Sequence, residues 1–173
     1  MRQSLDSRIS LVLACLVLVS GVALFATAQE DQSSRGEIEL REAWIPMPDG
    51  VRLAADLYVP SGGDGGERFP VLLEYLPYRK TESRGSRYSL YSYFVARGYV
   101  VARVDIRGTG NSEGRLVDYE YTEQEQQDGE AVIGWLSRQP FSNGKVGMFG
   151  LSWGAFNSIQ MAMRNPPALS AIL

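Results

Sequence analysis

The sequence predicts an α/β fold in which a mostly parallel sheet opens with an antiparallel hairpin. Two short segments of alternating hydrophobicity come first, and further along the chain continuous apolar segments alternate with segments of helical spacing. A Gly-x-Ser-x-Gly turn then separates a strand-like segment from a helix-like one. Strands that alternate with helices form a parallel sheet with helices on both faces, and such sheets bind ligands at the carboxyl ends of their strands.

Residues 1–28 have the pattern of an export signal. Arg2 and Arg8 precede an apolar stretch from Ile9 to Ala26, and Ala26-Thr27-Ala28 offers small residues for cleavage. An uncleaved membrane anchor is the alternative, because roughly 18 to 20 uncharged residues can just span a bilayer. Both interpretations predict an exported protein, extracellular or periplasmic, that contacts the membrane only if this segment is retained.

A flexible lead-in and one folded domain are predicted to follow this signal. Residues 29–36 are polar and rich in serine and charge, which is typical of a flexible segment. The domain is expected over residues 37–173, and 45% apolar with 21% charged residues is the composition of an ordinary globular protein.

The domain is predicted to begin with the hairpin. Glu37 to Ile45 alternates weakly and Val51 to Val59 more clearly, with Pro48-Asp49-Gly50 between them as turn chemistry. Residues 61–67 are a glycine-rich loop. Phe69 to Leu76 is then a nearly continuous apolar run, as expected of a strand that is covered on both faces.

The next segments are predicted to be a polar stretch, a short helix and a second buried strand. Pro77-Tyr78-Arg79-Lys80 ends the first buried strand and opens the polar stretch. Leu90 to Ala96 has helical spacing and stops before Gly98, and Tyr99 to Val104 is again apolar. Asp105 to Gly114 is too rich in glycine and polar residues to form a helix or a strand.

A second helix and a turn are predicted before the Gly-x-Ser-x-Gly motif. Glu123 to Arg138 carries an apolar stripe, and Asp128 and Glu130 are expected on the solvated face of that helix. Phe141 to Gly144 is expected to turn, with Asn-Gly at its centre. After the motif and its helix, Ala168 to Leu173 begins another apolar run.

Ser152 is the candidate nucleophile. It lies between a predicted strand from Lys145 to Phe149 and a predicted helix from Ala155, and this strand–turn–helix context gives a Gly-x-Ser-x-Gly motif its chemical meaning. Gly150 and Gly154 leave room where a Cβ atom would collide with a neighbouring element. The alternative is a tight glycine-rich connection without chemistry.

Other polar clusters are predicted at the same edge of the sheet. Tyr78, Asp105 and Ser152 each follow a predicted parallel strand, and the carboxyl ends of parallel strands meet at one edge. This juxtaposition predicts a single site.

Composition excludes several kinds of function. A net charge of −3 without a long basic run argues against a nucleic-acid surface. The sequence has no histidine, which removes the commonest general base and zinc ligand. Its one cysteine, Cys15, lies in the predicted signal, so neither a disulfide nor thiol catalysis is expected. No motif implies a metal or a cofactor.

Four segments together resemble the α/β-hydrolase fold, and within it the X-Pro dipeptidyl-peptidase and cocaine-esterase group of serine hydrolases. They occur in the order of that group and are Met47 to Asp56 (MPDGVRLAAD), Pro77 to Lys80 (PYRK), Asp105 to Gly114 (DIRGTGNSEG) and Asn143 to Gly154 (NGKVGMFGLSWG). The resemblance implies an enzyme that forms an acyl-enzyme on small esters, amides or N-terminal dipeptides, and it leaves peptidase and esterase activity open.

The resemblance also implies roles for particular residues. Ser152 corresponds to the nucleophile, the backbone N–H of Trp153 to one oxyanion donor and the hydroxyl of Tyr78 to the other. An aromatic that only packs on the sheet edge is the alternative for Tyr78. Asp105 and Arg107 are interpreted as structural, pairing or capping backbone groups beside the turn, with a catalytic Asp105 as the alternative.

One departure from the group shapes the functional hypothesis. In this fold the acid and the histidine of the triad follow the nucleophile, and this sequence contains no histidine. We therefore expect the N-terminal part of a longer enzyme, truncated after the nucleophile turn, which carries the nucleophile and oxyanion hole and has negligible turnover alone. The alternative is a non-catalytic remnant or a binding module of the same fold. The oligomeric state stays open.

Overall fold

A computed structural model describes residues 37–62, 66–116 and 118–173. The predicted signal and lead-in, residues 1–36, lie outside this part of the chain. Over the described ranges, no helix has the length and apolar character needed to cross a bilayer. The described elements are, in order, β1 (Ile38–Pro46), β2 (Arg52–Pro60), β3 (Phe69–Leu76), α1 (Lys80–Val95), β4 (Val100–Asp105), α2 (Glu123–Ser137), β5 (Ser142–Met148), α3 (Trp153–Arg164) and β6 (Leu169–Ile172).

The six strands form one mixed sheet in the order β1-β2-β4-β3-β5-β6. β1 pairs antiparallel with β2, and β2 pairs antiparallel with β4. The pairs β3–β4, β3–β5 and β5–β6 are parallel. The predicted hairpin and the predicted parallel sheet are both confirmed.

Helices cover both faces of the sheet, as predicted. β3 and β4 are buried nearly throughout, so successive side chains enter two different cores. On one face Val71 and Leu73 pack with Val132 and Leu136 of α2, in a core that also includes a methionine of α3. On the other face Val101 lies in a smaller cluster with residues of α1.

Helix α1 begins ten residues earlier than the sequence pattern predicted, at Lys80 and not at Leu90. Its first half, Lys80 to Ser89, is polar and contains Gly85, so hydrophobic spacing gives no helical signal there. Instead ion pairs hold this half. Lys80 Nζ lies 2.7 Å from Asp56 Oδ1, and Arg84 Nε lies 2.7 Å from Asp56 Oδ2.

The turn predicted at Phe141 to Gly144 is instead the start of β5. The pairing register with β3 shifts between Phe69 and Val71, which marks an irregularity of the bulge type. Gly144 has φ +89°, and the side chain of Asn143 accepts a hydrogen bond from Lys145 N at 3.1 Å. The turn-forming residues are therefore absorbed within a strand.

Candidate active site

Ser152 lies on a strained turn between β5 and α3. Its backbone has φ 54° and ψ −115°, in a region that residues other than glycine rarely adopt. The side chain makes no capping hydrogen bond to the helix, and the residue is exposed. Helix α3 starts directly after it, at Trp153 and not at the predicted Ala155. The geometry presents an exposed hydroxyl at the carboxyl end of β5, as a nucleophile elbow requires.

The two motif glycines are needed for close approach. A Cβ atom on Gly150 would lie 2.7 Å from the carbonyl carbon of Gly154 and 2.8 Å from its Cα atom. A Cβ atom on Gly154 would lie 3.0 Å from Leu76 Cδ2 at the end of β3. The expectation of a collision is therefore confirmed for Gly150, whereas at Gly154 the Leu76 side chain would have to move by a few tenths of an ångström.

Tyr78 lies between β3 and α1, and the residue is 44% exposed. Its carbonyl oxygen accepts a hydrogen bond from Ser83 Oγ at 2.8 Å and a longer one from Arg103 Nη2 at 3.4 Å. Arg103 is itself buried and pairs with Glu74. These contacts fix the backbone that carries the tyrosine while its ring stays accessible.

Lys80 anchors the other end of the same turn. Its ammonium group is buried against Asp56, and its backbone N–H donates to Asp105 Oδ1 at 2.7 Å. Burial would raise the pKa of Asp56, but the hydrogen bonds from Arg84 and Lys80 outweigh burial and hold it below its ordinary value of 3.8. Since Lys80 is committed to this ion pair, it is not poised as a general base.

Asp105 acts on the backbone, which agrees with the structural interpretation. Besides Lys80 N, its carboxylate accepts a hydrogen bond from Asn111 N at 3.1 Å. Burial raises the pKa of Asp105, and these two backbone donors counteract part of that effect. Gly110 is required beside it, because a Cβ there would lie 2.0 Å from Asp105 Oδ2.

Asp128 is buried, and the expectation of a solvated position was wrong. Its two carboxylate oxygens accept hydrogen bonds from Arg107 Nε and Nη2, both at 2.7 Å. Arg107 also reaches Asp49 at 2.7 Å, so it joins the loop after β4 to α2 and to the β1–β2 turn. Helical spacing alone does not reveal a carboxylate whose partner is distant in sequence. Glu130, half-buried on the same helix, pairs with Arg164 at 3.0 Å.

Helix α2 carries another buried acid, Glu125, which lies beside the elbow and was not predicted. Its Oε1 atom accepts hydrogen bonds from the indole Nε1 of Trp153 at 2.6 Å and from Asn157 Nδ2 at 2.9 Å. Its Oε2 atom accepts from Tyr121 N at 3.1 Å. Thr122 caps α2 and accepts from Glu125 N at 3.3 Å, so the Thr-x-x-Glu capping pattern was the available signal.

Aromatic rings flank the elbow on the side of α2. The Tyr121 ring centroid lies 5.1 Å from that of Trp153 and 5.4 Å from that of Phe156. Burial raises the pKa of Tyr121, with smaller contributions from Glu120, Tyr78 and Glu125. Tyr121 has φ 59°, an uncommon conformation for a large side chain.

A polar cavity of about 640 Å³ lies next to the Tyr78 turn. Its lining includes Pro77 and Arg79 on either side of Tyr78, together with Thr109 and Asn111 of the loop after β4, and it does not include Ser152. The candidate site is therefore argued from the elbow geometry and not from this cavity. Over the described residues, no group of three or more histidine, cysteine, aspartate or glutamate side chains is arranged to hold a metal ion.

The three predicted strand ends are brought to one edge of the sheet. β4, β3 and β5 are neighbouring parallel strands in that order; β4 ends at Asp105, β3 ends two residues before Tyr78, and β5 ends four residues before Ser152. A serine on a strained strand-to-helix turn at this edge defines the class of α/β hydrolases.

Comparison with known proteins identifies the family within that class. The family described as X-Pro dipeptidyl-peptidase (S15 family) matches residues 49–173, and the chain belongs to this family. The cocaine esterase of Rhodococcus sp. strain MB1 Bresler is 37% identical over 130 residues, which cover 74% of this chain and 22% of the esterase.

Solved structures agree with this assignment. A CocE/NonD family hydrolase of Staphylococcus aureus superposes with a TM-score of 0.68 and 25% identity, over 79% of this chain and 27% of the other. An α-amino acid ester hydrolase superposes with a TM-score of 0.66 and 30% identity, over 80% of this chain and 25% of the hydrolase. The chain thus spans about a quarter of the length of each of these three relatives.

Proposed function

We propose that this chain is the nucleophile-bearing part of an exported serine hydrolase that acts on ester or amide substrates through an acyl-enzyme. The observation that carries the proposal is the conformation of Ser152, held at φ 54° between two glycines that no larger residue can replace without displacement. Export rests on the charge and apolar pattern of residues 1–28.

The proposed chemistry begins with attack of Ser152 Oγ on the substrate carbonyl carbon. The hydroxyl proton passes to a general base, and the carbonyl oxygen gains negative charge. The backbone N–H of Trp153 and the hydroxyl of Tyr78 donate hydrogen bonds to that oxyanion. The leaving alcohol or amine departs with a proton, and water then releases the acyl group from Ser152.

In this proposal the general base is supplied by polypeptide outside these 173 residues, because the sequence has no histidine. Lys80 is held by Asp56, and Lys145 lies within β5 and not at the end of that strand which precedes Ser152, so neither supports this role. For the 173 residues alone we therefore expect ester hydrolysis at the background rate. If the 173 residues hydrolysed an ester faster than the background rate, and the Ser152→Ala variant did not, the requirement for an external base would be contradicted.

The substrate class is proposed from the relatives. The names of two of them refer to ester hydrolysis and that of the family to cleavage at X-Pro, so the product of the complete gene should be assayed with both a nitrophenyl ester and an X-Pro anilide. Turnover of one substrate and not of the other would assign the esterase or the peptidase activity.

Two substitutions in the gene product test the residue roles. Ser152→Ala is expected to lower kcat by roughly a millionfold, since it removes the nucleophile. Tyr78→Phe is expected to lower kcat by roughly 100- to 1,000-fold with little change in KM, because the donor acts on charge that develops in the transition state. Circular dichroism confirms folding. An active Ser152→Ala variant would refute the proposed function, and an unchanged kcat in Tyr78→Phe would remove Tyr78 from the oxyanion site.

A further inference from the structure

Glu125 is a buried carboxylate that is satisfied by neutral donors alone. It is 4% exposed, and its two oxygens accept from the Trp153 indole, the Asn157 amide and the Tyr121 backbone. Among the described residues, no arginine or lysine forms a salt bridge with it. A buried carboxylate is unfavourable unless it is fully hydrogen-bonded, so the arrangement indicates a role that depends on the carboxylate itself.

The donors of Glu125 belong to the parts of the chain that shape the elbow. Trp153 directly follows Ser152, and Asn157 lies one helical turn further along α3. Asn157 Nδ2 also donates to the carbonyl oxygen of Tyr75 in β3 at 3.1 Å. In return the Tyr75 hydroxyl donates to the carbonyl oxygen of Glu125 at 3.1 Å. The start of α3 is thus tied to both α2 and β3.

A neutral side chain of the same shape cannot reproduce these contacts. Glutamine has one acceptor oxygen and an NH₂ group, whereas Glu125 accepts hydrogen bonds on both oxygens. In a glutamine variant the NH₂ group would face either Tyr121 N–H or the pair of donors from α3. The Tyr121 N–H would then lose its acceptor in the first orientation, and both donors from α3 would lose theirs in the second.

We propose that Glu125 is a positioning residue that fixes the Trp153 side chain and, through it, the direction of the Trp153 backbone N–H at the elbow. The relevance to catalysis rests on the proposed oxyanion role of Trp153, while the positioning itself is a property of the folded chain. The same carboxylate also holds Tyr121: its Oε2 atom accepts a hydrogen bond from the backbone N–H of Tyr121, whose ring packs against that of Trp153.

Nuclear magnetic resonance of the full ¹⁵N-labelled chain tests this proposal without requiring turnover. The three tryptophans, Trp44, Trp135 and Trp153, give three indole N–H signals, and Trp153→Phe assigns one of them. In the native chain we expect the Trp153 indole proton to lie furthest downfield and to exchange more slowly than that of Trp44, which is 48% exposed. An exchange rate equal to that of Trp44 would overturn the proposal, whether or not any variant folds.

The variant Glu125→Gln is compared with Glu130→Gln on the same helix. We expect Glu125→Gln to shift both the indole and the backbone N–H signals of Trp153, and to speed exchange at the indole roughly tenfold or more. Glu130 pairs with Arg164, so its variant should leave both signals in place. A folded Glu125→Gln chain with unchanged Trp153 signals would refute positioning. If the signals move and Ser152 proves not to be a nucleophile, positioning stands and the proposed function fails.

Discussion

At the scale of single residues, the elbow depends on the absence of side-chain atoms as much as on the serine. Gly150 lies against the backbone of Gly154, at distances a Cβ atom could not tolerate. Backbone atoms cannot rotate away as a flexible side chain can. The strain at Ser152 is therefore maintained by packing around it, as is common where a reactive group is held in an uncommon conformation.

Two glycine-to-alanine substitutions should consequently act in opposite directions. Gly150→Ala is expected to lower the free energy of unfolding by about 1–3 kcal/mol, because the turn and α3 must move apart. Gly85→Ala is the control. Gly85 lies in α1, where a Cβ atom would meet no other atom within 4 Å, and alanine there should stabilise by about 0.5–1 kcal/mol. Urea unfolding measures both, and equal effects would contradict the packing argument.

At the scale of elements, an ion cluster fixes the start of α1 and so the turn that carries Tyr78. Asp56 in β2 is buried, and it pairs with Lys80 and Arg84 from the polar first half of α1. Burial alone would raise the pKa of Asp56, but hydrogen bonds from these cations hold it below 3.8. A carboxylate with a lowered pKa contributes stability that is fully present above its unfolded value and lost as the pH falls through its folded value.

The variant Asp56→Asn tests this cluster. At about pH 7 it should lower the free energy of unfolding by about 3–5 kcal/mol, because it leaves the buried Lys80 ammonium group with only a longer contact, 3.7 Å, to the exposed Glu42. Below 3.8 the native chain loses the same contribution, so the gap to the variant should narrow. Asp118→Asn, whose side chain is 82% exposed, is the control and should change stability by less than about 0.5 kcal/mol. If the difference in unfolding free energy between the native chain and Asp56→Asn stayed constant from neutral to acid pH, the proposed role of the Asp56 carboxylate would be contradicted.

The same cluster shows what hydrophobic patterning could and could not predict. Both ends of β3, Phe69 and Leu76, were predicted correctly, because a strand that is buried on both faces is a continuous apolar run. The first half of α1 was missed because Lys80, Arg84 and Asp56 stabilise it through distant ion pairs. Asp128 was placed on the surface for the same reason, since its partner Arg107 lies on another segment.

At the scale of the whole molecule, the sheet order explains how residues far apart in sequence share one edge. β3 lies between β4 and β5, so the segments after these three parallel strands emerge side by side. Tyr78, Asp105 and Ser152 were predicted at this edge from the alternation of strands and helices. The capping pattern at Thr122 could have placed Glu125 at the start of α2, but its contacts with Trp153 and Asn157 could not be predicted, because they depend on how α2 and α3 pack together.

Covalent labelling is the sharpest test of the proposal that Ser152 is the nucleophile of a serine hydrolase. The product of the complete gene is treated with a fluorophosphonate, digested, and mapped by mass spectrometry, with Ser152→Ala as the control. We expect a single adduct on the peptide that contains Ser152 and no adduct in the control. An adduct on a different residue, or an unmodified Ser152 in a protein that hydrolyses esters, would contradict it.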